Sequence, residues 1–131
     1  MKIVISPAKS LNFEKPLPTN QCSQPCFLEH TTRINTLLKE KSPKELSSLM
    51  GISEKLADLN WNRNQSFSVP FSPKNARQAI YAFDGDVYTG LDAYSLTEKQ
   101  LKPMQQQLRI LSGLYGMLKP LDLMQPYRLE M

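Results

Sequence analysis

Leu49-Met50-Gly51-Ile52-Ser53-Glu54-Lys55-Leu56-Ala57 is the stretch that decides the helical part of this 131-residue chain. A helix that begins near Pro43 is expected to end at Gly51, because glycine adopts the left-handed conformation that closes a helix. Ser53 can then cap a second helix, which should run from Glu54 to about Asn62. Two short helices joined by so tight a turn predict a helical hairpin.

The residues before the turn support the same structure. Ser42-Pro43-Lys44-Glu45 has the spacing of a capping box, in which the serine and the glutamate satisfy each other's backbone amides. Proline is tolerated at the first helical position, where its missing N–H is not needed. The apolar side chains expected between the two helices are Leu46, Leu49, Leu56, Ala57 and Trp61.

The hairpin is similar to the helix-hairpin-helix unit of DNA-binding and DNA-repair proteins. Gly51, Ile52 and Ala57 stand at matching places, whereas Ser53 replaces the second glycine of that unit. Backbone N–H groups at such a turn and at a helix N-terminus can contact phosphate, and Lys55 can add a charged contact. Such contacts position DNA without reading its sequence. The same residues also suit a plain helical hairpin, with Gly51 and Ser53 as caps.

The start of the chain predicts a buried first strand. It contains a short β-branched run, Lys2-Ile3-Val4-Ile5, which is closed by Ser6-Pro7. Helices are expected from about Pro25 to Lys41 and from Ser95 to about Leu111, and a turn at Asp84-Gly85-Asp86. The predicted fold class is therefore α/β, a small mixed sheet with several short helices.

Composition excludes some classes of protein. No apolar run approaches the roughly 18 residues of a membrane span, and Pro7 and Lys9 interrupt the first apolar stretch too early for a signal peptide. We therefore expect a cytoplasmic protein that does not bind a membrane. The formal charge of +4 permits nucleic-acid binding without requiring it.

Cys22, Cys26 and His30 are spaced four residues apart. A structural zinc site usually needs four converging ligands, and Pro25 interrupts the helix that would align these three. We therefore predict no metal and no cofactor here, with a redox-sensitive thiol pair as the lesser alternative. No catalytic set can be built around the single histidine, so whether the protein is an enzyme stays open.

Four longer motifs resemble the YaaA family. They are Ser6-Pro-Ala-Lys-Ser-Leu11, Asn75-Ala-Arg-Gln-Ala-Ile80, Phe83-Asp-Gly-Asp-Val-Tyr-Thr-Gly-Leu91 and Leu111-Ser-Gly-Leu-Tyr-Gly116. The run from Lys119 to Met131 resembles that family most closely. The resemblance implies a bacterial peroxide-stress protein that limits free iron and protects DNA, with a positively charged cleft and a DNA-binding helix-hairpin-helix. We carry the DNA-binding role onto Gly51, Ile52, Ser53 and Lys55.

The same motifs contain polar residues that suit a different function. Ser6, Lys9, Asp86, Tyr88 and Arg128 come from separate segments that could converge in one cleft, as active-site residues often do. The alternative hypothesis is therefore an enzyme that acts on an unidentified small molecule. The plainer interpretation is structural, with Asp86 in a turn, Tyr88 packed and Arg128 in an ion pair.

The end of the chain suggests that residues 1–131 are the N-terminal portion of a larger single domain. The resemblance implies a protein roughly twice this length, and the chain stops within its most specific motif. Apolar side chains near that end need partners to bury against, namely Leu111, Leu114, Leu118, Leu121 and Leu123. The C-terminal half is then the expected partner, and the oligomeric state stays open.

Overall fold

A computed structural model describes residues 2–129 of the chain. The final two residues of the last motif, Glu130 and Met131, lie outside the described residues. The helices are α1 Leu28–Lys39, α2 Pro43–Met50, α3 Glu54–Ser66, α4 Ala79–Ala82, α5 Asp86–Leu91 and α6 Glu98–Gln107. The strands are β1 Ile3–Ile5, β2 Ser10–Leu11, β3 Arg77–Gln78, β4 Phe83–Asp84, β5 Leu108–Ser112, β6 Gly116–Leu118 and β7 Leu123–Met124.

The largest sheet has three strands in the order β1-β5-β6. β1 pairs in parallel with β5, Ile3 opposite Leu108, and β5 turns back antiparallel into β6 through Gly116. Two antiparallel ladders, β2 with β4 and β3 with β7, join distant segments elsewhere. The predicted class, a mixed α/β fold with small sheets and short helices, is confirmed.

The prediction that the first strand is buried is wrong. β1 forms, but Ile3 is 48% exposed and Val4 is 52% exposed, because β1 lies at the edge of its sheet in residues 2–129. A β-branched run specifies an extended backbone, whereas burial depends on what packs against it.

Apart from Leu38 and Ala57, the buried side chains of α1 and α3 are polar, which the apolar pattern did not predict. α1 begins at Leu28 rather than Pro25, and Leu37 is exposed. The buried side chains of α3 include Asn60 and Asn64, while Leu56 and Trp61 remain more than one-third exposed. Buried asparagine is tolerated when it is hydrogen-bonded. Asn60 meets this condition by donating to the Leu56 carbonyl at 2.8 Å.

Two further boundaries differ from the expectation. Gly85 has an extended φ of 177° and leads directly into α5, so Asp84-Gly85-Asp86 is not the expected positive-φ turn. α6 is capped by Thr97 with Gln100 rather than by Ser95, and it ends at Gln107. Residues 108–111, which were expected to be helical, instead belong to β5, which pairs with both β1 and β6.

The leucines near the chain end also differ from the expectation. Leu114, Leu118, Leu121 and Leu123 are buried within this chain, and only Leu111 is substantially exposed, at 37%. The apolar surface expected at the end is therefore covered by the chain's own aromatic and aliphatic core. Its largest buried side chains include Tyr81, Tyr115, Ile80, Leu101 and Ile110.

Candidate nucleic-acid interface and an adjoining cleft

The helical hairpin consists of α2, a three-residue turn (residues 51–53) and α3. Gly51 closes α2 at φ 64° and ψ 38°, in the left-handed region where glycine is favoured. Ser53 caps α3, its Oγ accepting from the Leu56 N–H at 3.2 Å. Ala57 is completely buried, as is Leu46 on α2. A small side chain at this point lets the two helices approach closely.

The amides of the turn are already engaged. The N–H groups of Gly51 and Ile52 both donate to the Ser47 carbonyl, at 2.8 and 3.3 Å. The Ser47 hydroxyl in turn donates to the Ile52 carbonyl at 2.6 Å. These bonds fix the turn internally, so a phosphate would be bound instead at the first turn of α3, beyond Ser53.

The four residues proposed to contact DNA lie together at this end of the hairpin, but they are not equivalent. Gly51, Ser53 and Lys55 are exposed, whereas Ile52 is only 8% exposed and packs into the core. No atom lies within 4 Å of a methyl group built on Gly51, so its backbone faces open space.

The five residues predicted to share a small-molecule cleft divide into two groups. Lys9 and Arg128 line a cleft of about 280 Å³, together with Pro7, Ala8, Gly113, Tyr127 and Leu129. Ser6, Asp86 and Tyr88 are not among its lining residues. The Tyr88 hydroxyl donates to the Ser6 carbonyl at 2.7 Å, so it supports the segment that leads into the cleft.

Asp86 begins α5 close to the same segment. A methyl group on the preceding residue, Gly85, would lie 3.3 Å from the Ala8 Cβ, so the start of α5 approaches residues 7–9. Burial raises the pKa of Tyr88, and the nearby Tyr127 adds to that effect. Tyr88 therefore acts as a neutral hydrogen-bond donor at physiological pH rather than as a base.

Arg63 is a cationic residue of this region that the sequence reasoning missed. α3 continues to Ser66, four residues beyond the expected end, which carries Arg63 to a groove of about 420 Å³. Its Nη1 donates to the Asn60 Oδ1 at 3.2 Å. The three- and four-residue spacing of Asn60, Arg63 and Asn64 places them on one helical face. That spacing is the sequence signal that could have identified Arg63.

Arg63 is also electrostatically coupled to the first cleft. Burial lowers the pKa of its guanidinium, and the positive charge of Arg128 lowers it further. The two arginines line different depressions.

The thiols lie apart from both regions. Cys22 and Cys26 are exposed free cysteines, and the Lys119 Nζ donates to the Cys26 Sγ at 3.3 Å. The His30 ring lies against Phe27, with ring centroids 6.3 Å apart. Within residues 2–129, no group of three or more histidine, cysteine or acidic side chains could hold a metal ion. None of the helices in the same range is long and apolar enough to cross a membrane.

The fold and these sites define a small mixed α/β protein with a helical hairpin and a cleft lined in part by a lysine and an arginine. Residues 1–131 match the family model described as "Peroxide stress protein YaaA". The chain therefore belongs to that family, as its motifs indicated.

Curated relatives carry the name UPF0246 protein. The chain is 66% identical over 131 residues to one from Flavobacterium johnsoniae, and the match covers 100% of this chain and 52% of the relative. It is 61% identical to relatives from Flavobacterium psychrophilum and Hahella chejuensis, covering 100% of this chain and 52% and 51% of those proteins. The chain thus spans about half the length of the curated relatives it matches.

Proposed function

We propose that this chain acts in the cytoplasmic response to peroxide by binding DNA, largely through contacts with the DNA backbone. By doing so it helps to limit iron-dependent damage. The observation that supports this function best is the hairpin geometry. A left-handed Gly51, a Ser53 cap and a buried Ala57 are combined in one short unit.

The contact surface is the start of α3. A helix N-terminus carries partial positive charge and amides that point outward, so it favours a phosphate oxygen. The exposed Lys55 lies in the first turn of α3, where its ammonium group can reach the same phosphate. A phosphate can also approach past Gly51, because no atom lies within 4 Å of a methyl group built there.

The hairpin is not uniformly basic, and this bears on the mode of binding. Glu54 and Asp58 are exposed on the same helix as Lys55. With acidic and basic side chains side by side, the hairpin is suited to contact one or two phosphates of the DNA rather than a long stretch of its backbone. The expected binding is therefore weak, sensitive to salt and nearly indifferent to DNA sequence.

The experiment is a fluorescence-anisotropy titration of a labelled DNA duplex at several salt concentrations. Lys55→Glu and Gly51→Asp should each weaken binding about tenfold or more, since each places a negative charge beside a phosphate. Aspartate tolerates the left-handed conformation better than most residues, so Gly51→Asp should keep the hairpin folded.

Lys102→Glu is the matched control, because Lys102 is an exposed lysine on α6 outside the hairpin. It changes the net charge by the same amount as Lys55→Glu and should alter binding much less. If all three variants bound like the wild type, or all three weakened alike, the hairpin would not be the contact site.

The protective part of the proposal has its own measurement. DNA exposed to ferrous iron and hydrogen peroxide should be nicked less in the presence of the wild-type protein. The Lys55→Glu variant should lose this protection in proportion to its loss of binding. If both proteins protected the DNA equally, the protection would not depend on DNA binding by the hairpin.

A further inference from the structure

Cys26 is an exposed thiol that lies beside an ammonium group. It is a free cysteine two residues before the start of α1, and the Lys119 Nζ donates to its Sγ at 3.3 Å. Lys119 directly follows β6, so the contact joins segments that are far apart in sequence. An ammonium group in this position stabilises the negative charge of a thiolate, which is the nucleophilic form of cysteine.

The Lys119 side chain is held in place by a buried carboxylate. Its Nζ lies 3.3 Å from the Asp122 Oδ1, and the Asp122 side chain is completely buried. The same carboxylate accepts from the Ser23 hydroxyl at 2.6 Å and from the backbone N–H of Lys119 at 2.8 Å. The Ser23 hydroxyl in turn accepts from the Gln105 Nε2 at 3.0 Å. Because Asp122 is anchored at several points, the ammonium group is positioned at the Cys26 sulfur before any reactant arrives.

Cys22 provides a comparison within the same segment. Both cysteines are free and exposed, and they are four residues apart. Lys119 donates to Cys26 and not to Cys22. Solvent exposure admits an oxidant to either sulfur, whereas Cys26 combines that access with a neighbouring cation. This combination is characteristic of redox-sensitive cysteines.

The family to which the chain belongs indicates the oxidant. The family model that matches residues 1–131 is described as a peroxide stress protein, so hydrogen peroxide is the oxidant that this chain is expected to meet. Peroxide converts a thiolate to a sulfenic acid, and the susceptibility of a cysteine follows its thiolate character and its exposure. Cys26 is exposed, and Lys119 supplies the stabilising charge for the thiolate.

We propose that hydrogen peroxide oxidises this protein at Cys26, and that Lys119 stabilises the reacting thiolate. The Cys26 Sγ attacks one oxygen of the peroxide, so that an S–O bond forms as the O–O bond breaks. The sulfur loses two electrons and becomes a sulfenic acid. The other oxygen of the peroxide leaves as hydroxide and takes up a proton from solvent to become water. This modification site goes beyond the DNA-binding function and does not depend on it, because it uses none of the hairpin residues 51–57.

The test treats the reduced protein with hydrogen peroxide in the presence of dimedone, which traps sulfenic acids, and follows the labelled peptides by mass spectrometry. Cys22→Ser leaves Cys26 as the single thiol, and Cys26→Ser leaves Cys22. The Cys26 thiol should be labelled about tenfold faster than the Cys22 thiol, because a neighbouring cation raises its thiolate fraction. In urea, where the contact with Lys119 is lost, the two thiols should be labelled at similar rates.

Substitutions of Lys119 in both single-thiol proteins separate its effect on the sulfur from its effect on folding. Lys119→Gln should slow the labelling of Cys26 about tenfold and leave that of Cys22 unchanged, since it removes the ammonium group. Lys119→Arg keeps the positive charge and should keep most of the rate. Lys102→Gln, at an exposed lysine of α6, is the matched control and should change neither rate. Unfolding would alter the labelling of both thiols, so a change confined to Cys26 reports on the lysine.

Three results would overturn the proposal. The first is a folded protein in which no sulfenic acid is trapped at Cys26. The second is labelling of Cys26 that is no faster than that of Cys22. The third is a rate at Cys26 that is the same with Lys119→Gln as with the native lysine. Failure of the hairpin hypothesis is distinguishable, because Lys55→Glu should leave the labelling of Cys26 unchanged.

Discussion

Asp122 shows how a single buried carboxylate can join separate segments of the chain. Its carboxylate is fully buried and accepts from the Ser23 hydroxyl at 2.6 Å and from the Lys119 N–H at 2.8 Å. The Lys119 ammonium lies 3.3 Å from the same carboxylate. Burial acts to lower the pKa of Lys119, but Asp122 and Cys26 outweigh it and the pKa is raised. Asp122 thereby links the segment before α1 to the segment before β7.

Replacing Asp122 with alanine should lower the free energy of unfolding by about 3 kcal/mol or more, because it leaves the Lys119 and Ser23 donors without their acceptor. Asp122→Asn should cost less, because its single amide oxygen still accepts from one of the two donors, which bond to different oxygens of the carboxylate. Urea unfolding measures both variants. Asp58→Ala, at an exposed site on α3, is the control and should change stability by no more than about 0.5 kcal/mol. Similar losses at both positions would contradict this role for Asp122.

At the scale of elements, the hairpin depends on its turn more than on the composition of its helices. Gly51 is in the left-handed region, where a side chain is strained even though space is open. Gly90 lies inside α5, and no atom is within 4 Å of a methyl group placed there. Both glycines therefore have space for a methyl group. Only Gly51 has the left-handed backbone conformation that disfavours one.

Gly51→Ala should destabilise the protein by about 1 kcal/mol, whereas Gly90→Ala should stabilise it by about 0.5 kcal/mol. The first substitution forces a residue with a Cβ into a left-handed conformation, and the second restricts only the unfolded chain. Urea denaturation of both variants and the wild type checks the pair. Two shifts of the same sign would show that backbone conformation is not what distinguishes these glycines.

At the scale of the whole molecule, aromatic rings connect the elements. The ring centroids of Tyr115 and Tyr127 are 5.3 Å apart, and those of Phe83 and Tyr88 are 5.5 Å apart. The phenols of Tyr88, Tyr115 and Tyr127 are also hydrogen-bonded, whereas the buried Tyr81 hydroxyl has no partner. Tyr115 donates to the Gln125 carbonyl and accepts from its N–H, while Tyr127 pairs with the Ser112 hydroxyl. The core is therefore satisfied only while these phenols stay neutral.

This core predicts alkaline unfolding. Burial raises the pKa of Tyr88, Tyr115 and Tyr127 in the folded protein. In the unfolded chain the phenols ionise near pH 10, so the stability they confer is complete below about pH 10 and falls as the pH rises above it. Phenolate absorbance and circular dichroism should therefore change together above that pH. The denatured chain, as the control, should titrate near pH 10. Phenolate formation near pH 10 with unchanged circular dichroism would contradict the prediction.

Local sequence is sufficient to specify the hairpin. Ser42, Glu45, Gly51 and Ser53 cap the two helices as expected, because each cap is a contact between residues at most four positions apart. Such contacts form wherever the chain folds, so local pattern is enough to place them. The family was likewise readable from motifs that needed no structure.

The remaining features depend on tertiary contacts. Residues 108–111 form a strand instead of the expected helix because this segment pairs with a strand about a hundred residues away, and that pairing outweighs local preference. Polar side chains of α1 and α3 are buried because neighbouring segments supply acceptors for their hydrogen bonds. Thr31, for example, donates to the Leu114 carbonyl. Arg63 likewise reaches a groove lined by residues 11–14 and Pro126, which are far from it in sequence, and no local pattern records that approach. Contacts of this kind depend on the simultaneous packing of the whole chain.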